Sequence, residues 1–296
     1  MKTIFLAEAS MSEKQGWLQH AIAPRPIAFA STIDAGGNVN LSPFSFFNLF
    51  SYSPPIIIFS TTRKIRDNST KHTLQNIMET GEVVINICED NMVQQVSLSS
   101  CDYPKSVDEF IKAGFTRQAA TVVKPPMVKE SRIKLECKVQ EIKSLGENGG
   151  AGQLIIAEVI CMHVDESVLT EDGKMIDQQK VHHIARLGGD WYCRIDALVL
   201  FRVPKPNVLL GIGMDALPQS IRVSTLLTGN QLAMLANVQE VPAIDPTFED
   251  DRLKNIIQYY AVSPDEMEKE LHLYAAELLA NNQVNEAWQV LLATAS

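Results

Sequence analysis

Residues 131–143 carry Ile133, Leu135, Cys137 and Val139 at every second position, and residues 154–164 resume an apolar pattern after a glycine-rich turn at 146–152. Period-two alternation is the mark of a half-buried strand, so this stretch predicts a long antiparallel hairpin. Shorter runs of the same kind lie upstream. Residues 27–33 and 39–41 flank the turn Ala35-Gly36-Gly37-Asn38, and residues 55–60 and 82–88 are rich in β-branched side chains. Residues 69–80 have Leu74, Ile77 and Met78 at helical spacing, Ser69 or Thr70 available as a cap, and Gly81 as a stop. Strands joined by short turns, with few helices between them, predict an antiparallel barrel rather than a parallel βαβ sheet. The fold class is mainly β within an α+β chain.

A boundary is expected where Val203-Pro204-Lys205-Pro206 places two prolines in three residues. Residues 1–204 then form the barrel domain and residues 205–296 a helical extension. Within the extension, residues 250–260 and 264–294 have apolar positions at helical spacing, and Asn281-Asn282 divides the second stretch into two antiparallel helices. A net charge of −9, with no dense Lys/Arg cluster, argues against nucleic-acid binding. No apolar run reaches the ~20 residues of a membrane span. The N-terminal apolar patch is broken by Glu8 and too short for a secretory signal, so a cytoplasmic location is expected. Five widely spaced cysteines without a CxxC pair fit reduced thiols. Cys88, Cys137 and Cys161 fall in strand-like runs and read as core residues, whereas Cys101 sits in a polar segment.

Residues 25–60 are the densest in chemistry. Ser42-Pro43-Phe44-Ser45-Phe46-Phe47-Asn48 sets small hydrogen-bonding groups beside flat apolar walls, which a flat, polar-rimmed cofactor such as a flavin requires. Ser45, Asn48, Ser31 and Thr32 could serve the polar edge of such a ring. Each phenylalanine taken singly is more simply a core residue. A flavin mononucleotide also carries a phosphate, which favours cations, hydroxyls and backbone N–H groups at a helix start. Ser60-Thr61-Thr62-Arg63-Lys64 and Ser69-Thr70-Lys71-His72-Thr73 supply these between a strand and a helix, although an ordinary solvated loop has the same composition. Gly211-Ile212-Gly213-Met214-Asp215-Ala216 has dinucleotide-fingerprint spacing, but Pro218 follows and no βαβ unit surrounds it. Adjacent His182 and His183 diverge in helix or strand and lack HExxH spacing, so no metal site is expected.

Six blocks carry a resemblance: RPIAFASTID (25–34), NVNLSPFSFFN (38–48), SPPIIIFS (53–60), STKHTLQNI (69–77), TGEVVINI (80–87) and HHIARLGGDWY (182–192). Together and in this order they resemble the flavin reductase-like, FMN-binding split-barrel family, which includes flavoredoxin. The resemblance implies an antiparallel split barrel, a homodimer, and FMN held non-covalently near the subunit interface. It implies that electrons pass between NAD(P)H, the flavin and a small-molecule or protein acceptor. By motif, Ser45, Phe46, Phe47 and Asn48 would contact the flavin, with Ser31 and Thr32 close by. Ser60, Lys71 and Thr73 would hold the phosphate end. Arg186, Leu187, Gly188 and Tyr192 would lie near the ring and the substrate side. Where the family often has Lys-Asp-Thr, this chain has Lys71-His72-Thr73, so the acidic residue is absent. No catalytic acid or base is assigned. The rival expectations are an FMN-binding electron carrier without NAD(P)H turnover, and a flavin-domain scaffold that binds a partner through its C-terminal helices.

Overall fold

Seven strands run in the order Val39–Phe44, Ala28–Ile33, Glu82–Ile87, Ile133–Ser144, Gly152–Val164, Pro55–Thr62 and Phe47–Tyr52, each antiparallel to its neighbours. The two outermost strands are consecutive in sequence and joined only through Ser45 and Phe46. The sheet must therefore curl until its edges face one another, which makes it a split barrel. This computed structural model describes residues 1–204 and 210–294. Lys205 and Pro206 of the expected boundary lie outside the described residues. The chain divides into two compact units, Met1–Phe201 and Arg202–Ser296.

The barrel interior is filled by Ala28, Ala30, Phe44, Ile57, Phe59 and Ile155, all buried. Phe44, on one edge strand, meets Phe59 with ring centroids 5.7 Å apart, so aromatic packing bridges the seam. Helix His72–Thr80 closes one end through buried Leu74 and Ile77 and stops at Gly81, whose φ of 68° is the left-handed cap its sequence anticipates. Its start differs from expectation. Ser69 is occupied by Asp67, whose Oδ1 accepts both its N–H (2.9 Å) and its hydroxyl (2.6 Å), so the helix begins at His72. On the other face of the sheet, Phe29 and Leu41 pack with Val96, Phe110 and Val128.

Arg25–Pro26, Ile184–Arg186 and Tyr192–Arg194 form a second, three-stranded sheet. The N-terminal helix Met11–Ala21 has no apolar periodicity and buries none of its residues. It is fixed at its start by a capping box, Ser10 with Glu13, whose Ser-x-x-Glu signature is present in the sequence.

In the second unit, helices Gly229–Ala236, Asp251–Tyr259, Pro264–Ala280 and Val284–Leu292 enclose a core of their own around Trp288, Leu235, Ala275 and Leu279. The expected break falls at Asn282, which adopts φ 59° between the last two helices. Met214–Ala216 is a single 3-10 turn, and no strand precedes it among the described residues of this unit. The glycine pattern at 211–216 therefore lacks the strand that a dinucleotide fingerprint needs. Among the described residues no helix is long and apolar enough to cross a membrane.

Candidate functional site

Strand Pro55–Thr62 hands the chain to helix His72–Thr80 through a loop tied at both sides. Gly150 N–H donates to the Arg63 carbonyl (2.9 Å), and Lys64 N–H donates to that of Ser69 (2.9 Å). At the strand end, Ser60 N–H donates to the Phe46 carbonyl at 2.8 Å. One hydrogen bond thus sets the Ser45–Phe46 bend beside the Ser60 strand end.

The helix that follows has Lys71 at its N-cap and no side chain capping it. Leu74 N–H donates to the Lys71 carbonyl at 3.1 Å, whereas the N–H groups of His72 and Thr73 have no backbone acceptor among the described residues, so with the helix dipole they offer an anion-binding pattern. Positive charge gathers there. Lys64 pairs with Asp102 at 2.5 Å, while Lys71 makes no ion pair or side-chain hydrogen bond among the described residues. Burial, and then the positive charges of Lys64, Lys105 and Lys71, push the His72 imidazole below its ordinary pKa, against the opposing pull of Asp102. Burial thus favours the neutral imidazole at His72.

The remaining candidates divide by location. Thr32 lies opposite Asn40 and its hydroxyl accepts from Asn76 at 3.2 Å, beneath the helix. Ser31 lies opposite Leu41, and its buried Oγ has no hydrogen-bond partner among the described residues. Neighbouring positions on a strand face opposite ways, so Ser31 and Thr32 cannot both present hydroxyls to one ligand. Thr73 is buried, and its hydroxyl donates to Asn40 Oδ1 at 2.6 Å. That hydroxyl ties the helix to the sheet, which leaves its backbone N–H for an anion. Phe47 packs on the barrel core, whereas Phe46 and Asn48 are exposed. The Asn48 carboxamide oxygen accepts from Leu49 N–H at 2.8 Å.

Arg186, Leu187, Gly188 and Tyr192 belong to the three-stranded sheet. The Arg186 guanidinium stacks 4.5 Å from the Tyr192 ring centroid and donates to the Gly189 carbonyl (2.7 Å). Both side chains line a cavity of about 420 Å³ together with Val93, Gln94, Ser97 and Asp190. Buried Arg25 locks the loop to the N-terminal helix, donating to the carbonyls of Gln19 (2.6 Å), Ile22 (2.5 Å) and Leu187 (2.9 Å). A Cβ at Gly188 would run into the ring of exposed His20, so the His20 side chain would have to shift. Gly188→Ala is expected to destabilise the fold, by about 1 kcal/mol, the low end of the overpacking range, because the displaced His20 side chain is exposed. His20→Ala in the same chain should restore most of that, read by denaturant unfolding.

The family model described as flavin reductase like domain matches residues 20–184, more than half of the chain. The chain belongs to this family. Nitrilotriacetate monooxygenase component B from Bacillus cereus is similar in structure, with TM-score 0.64 and 30% identity over 69% of this chain and 98% of that one. A Shewanella frigidimarina NCIMB 400 protein described as a flavin reductase with a split barrel domain has TM-score 0.57 and 29% identity, covering 68% of this chain and 96% of that one. An uncharacterized protein of Halalkalibacterium halodurans is 37% identical over 187 residues, 62% of this chain and 88% of its own length. The flavin reductase-like match spans the barrel, the bend at Ser45 and the helix start at Lys71.

Three buried carboxylates support this flavin reductase-like domain, and none was among the sequence candidates. Glu109 accepts from Asn40 Nδ2 (2.9 Å) and Leu41 N–H (3.1 Å), and burial raises its carboxyl above the usual range. It completes a chain from Thr73 through Asn40 that anchors the helix start. Glu89 accepts from Arg132 Nε (2.6 Å) and Nη2 and from His182 N–H (3.0 Å). Burial opposes its ionisation, yet Arg132 and the His182 N–H outweigh burial and hold the Glu89 carboxyl below the ordinary range. Glu136 is fully buried under three N–H groups and His163. Each relies on partners far apart in sequence, so no local spacing announces it. The cysteine reading needs one correction: Cys88 and Cys137 are buried core thiols, but half-buried Cys161 lies 3.6 Å from His163 Nε2.

Proposed function

We propose that residues 1–204 bind FMN and that the protein is an NAD(P)H-dependent flavin oxidoreductase, passing electrons to a small-molecule or protein acceptor. The observation that carries this reading is the uncapped start of helix His72–Thr80 with Lys71 beside it, tied through Ser60 to the Ser45–Phe46 bend. Membership of the flavin reductase-like family supports it. The donor set fits FMN: the His72 and Thr73 N–H groups, Lys71 and the Ser60 strand end for a phosphate, and exposed Phe46 and Asn48 for the ring. Thr61 Oγ1, buried at the same strand end without a partner among the described residues, adds an unspent hydroxyl. Bound flavin supplies the electron-transfer chemistry. The chain binds and orients it, and Arg186 and Tyr192 line the substrate side.

A homodimer belongs to the same proposal. The edge strand Phe47–Tyr52 exposes Leu49, Phe50 and Tyr52 next to exposed Phe46, on a sheet edge with unpaired backbone groups. Covering such an edge removes a liability for aggregation. The helices from Gly229–Ala236 to Val284–Leu292 make up the helical extension.

Fluorescence titration of FMN into the full chain tests the site. Saturable binding at one flavin per chain is expected. Lys71→Ala should weaken it about tenfold to a hundredfold, since a charge-assisted hydrogen bond contributes roughly 1.5–3 kcal/mol. Unchanged affinity in that variant would place the phosphate elsewhere.

A further inference from the structure

Strand Gly152–Val164 brings Cys161 and His163 to one face, two residues apart, and pairs Cys161 with Glu136 on strand Ile133–Ser144. That pairing depends on an irregularity. Val159 pairs with Cys137, so regular antiparallel register would bring Ile160 opposite Glu136; a bulge between Val159 and Cys161 inserts one residue and substitutes the cysteine. Bulges re-aim side chains in this way, and they gather beside functional sites.

We propose that Glu136, Cys161 and His163 form a binding site for a divalent metal ion of the zinc type, separate from the flavin chemistry. One ligand atom from each lies within 4.8 Å of the others. Cys161 Sγ and His163 Nε2 are 3.6 Å apart. Two ligands on tetrahedral zinc, with Zn–S about 2.3 Å and Zn–N about 2.0–2.1 Å, stand about 3.5 Å apart. The third ligand is pre-oriented. Glu136 Oε1 accepts from Thr121 N–H (2.7 Å), and Oε2 accepts from Val122 N–H (2.6 Å) and Val123 N–H (2.9 Å). Outer bonds of this kind fix a ligating carboxylate. The remaining lone pair of Oε1 points to His163 Nε2, 2.6 Å away, in a contact that a metal would replace by opening it somewhat. Cys161 and His163 are each half-buried, which leaves a fourth position open to water.

A mixed sulfur, nitrogen and oxygen donor set suits zinc better than calcium or magnesium. On binding, Cys161 gives up its thiol proton to solvent and ligates as the thiolate, His163 ligates through Nε2 as the neutral imidazole with its proton on Nδ1, and no electron moves. The sequence masks this site because Cys161-x-His163 is short and Glu136 is 25 residues upstream, joined only by the bulged register.

The test is to titrate Co²⁺ into the chelator-treated, flavin-free full chain and follow absorbance. The expected result is a thiolate-to-cobalt charge-transfer band that saturates at one equivalent and is displaced by Zn²⁺. Cys161→Ser should abolish the band while leaving the circular dichroism spectrum unchanged, and His163→Gln should weaken cobalt binding at least tenfold. Cys101→Ser/Cys193→Ser should keep the band. A titration with no saturating band, or a band that survives in Cys161→Ser, overturns the proposal and leaves Glu136–His163 as a hydrogen bond alone. FMN affinity, measured in the same preparations, reports separately on the flavin site.

Discussion

Arg132→Met destabilises the first unit by about 3–5 kcal/mol, the expected result of leaving a buried carboxylate without its countercharge. Glu89 is only 5% exposed, and Arg132 reaches it through two nitrogens. A third hydrogen bond, from the same Arg132 Nη2 to the Lys180 carbonyl at 3.0 Å, ties the guanidinium to the segment leading into strand Ile184–Arg186. With Arg132 gone, the His182 N–H is the one hydrogen-bond donor left on Glu89 among the described residues. In a unit of this size the loss corresponds to roughly 6–20 °C in Tm. Adding Glu89→Gln to Arg132→Met should recover much of it, because the stranded charge disappears. If the single variant unfolds at the wild-type midpoint, the pair contributes nothing net.

The same pair fixes a pH dependence. Glu89 has a folded pKa below its ordinary value of about 4.3. Its contribution is therefore fully present above that ordinary value and is lost as pH falls through it to the lower folded pKa. Arg132→Met removes the partner that holds the carboxyl down. The stability gap between wild type and variant should be widest at neutral pH and narrow as pH drops below about 4, where a protonated Glu89 needs no countercharge. Unfolding midpoints across pH measure the gap; a constant gap would mean Arg132 acts through packing.

The second large effect lies in the helical unit. Trp288→Ala should destabilise it by about 3–5 kcal/mol, the range for emptying a buried aromatic site. Trp288 has no exposed surface and sits among Leu235, Ala275 and Leu279. Its indole Nε1 is buried without a hydrogen-bond partner among the described residues. Trp288→Phe removes that unsatisfied donor along with some volume, so it should be much milder than the alanine variant. Trp17 and Trp191 are 45% and 73% exposed, so the blue-shifted part of the fluorescence belongs to Trp288 and reports this unit's unfolding. Equal destabilisation by Phe and Ala would show that the ring's packing is not what matters there.

These two clusters show where sequence reading succeeds and where it stops. Period-two alternation revealed the hairpin, and Gly81 and Asn282 marked helix ends, because each signal depends on a few adjacent residues. The helix at Met11–Ala21 escaped periodicity because it buries no face, although its Ser10–Glu13 capping box was readable. Ser69 looked like a cap, but Asp67, two residues earlier, claims its hydroxyl. Within the candidate site, Lys71 and the Ser60–Phe46 neighbourhood were legible from composition and motif. The facing of Ser31 against Thr32 needed the register, and the Thr73–Asn40–Glu109 chain needed three segments folded together. Pairs such as Glu89–Arg132 are separated by 43 residues, beyond any local pattern.

The central claim is that this barrel holds a flavin which NAD(P)H can reduce. The most direct measurement mixes the FMN-loaded full chain anaerobically with NADH or NADPH and follows the visible flavin absorbance. Rapid bleaching at one reductant per flavin is predicted. Protein that binds FMN but stays yellow with both nucleotides would contradict the reductase and leave an electron carrier; protein that never takes up FMN would contradict the flavin site itself.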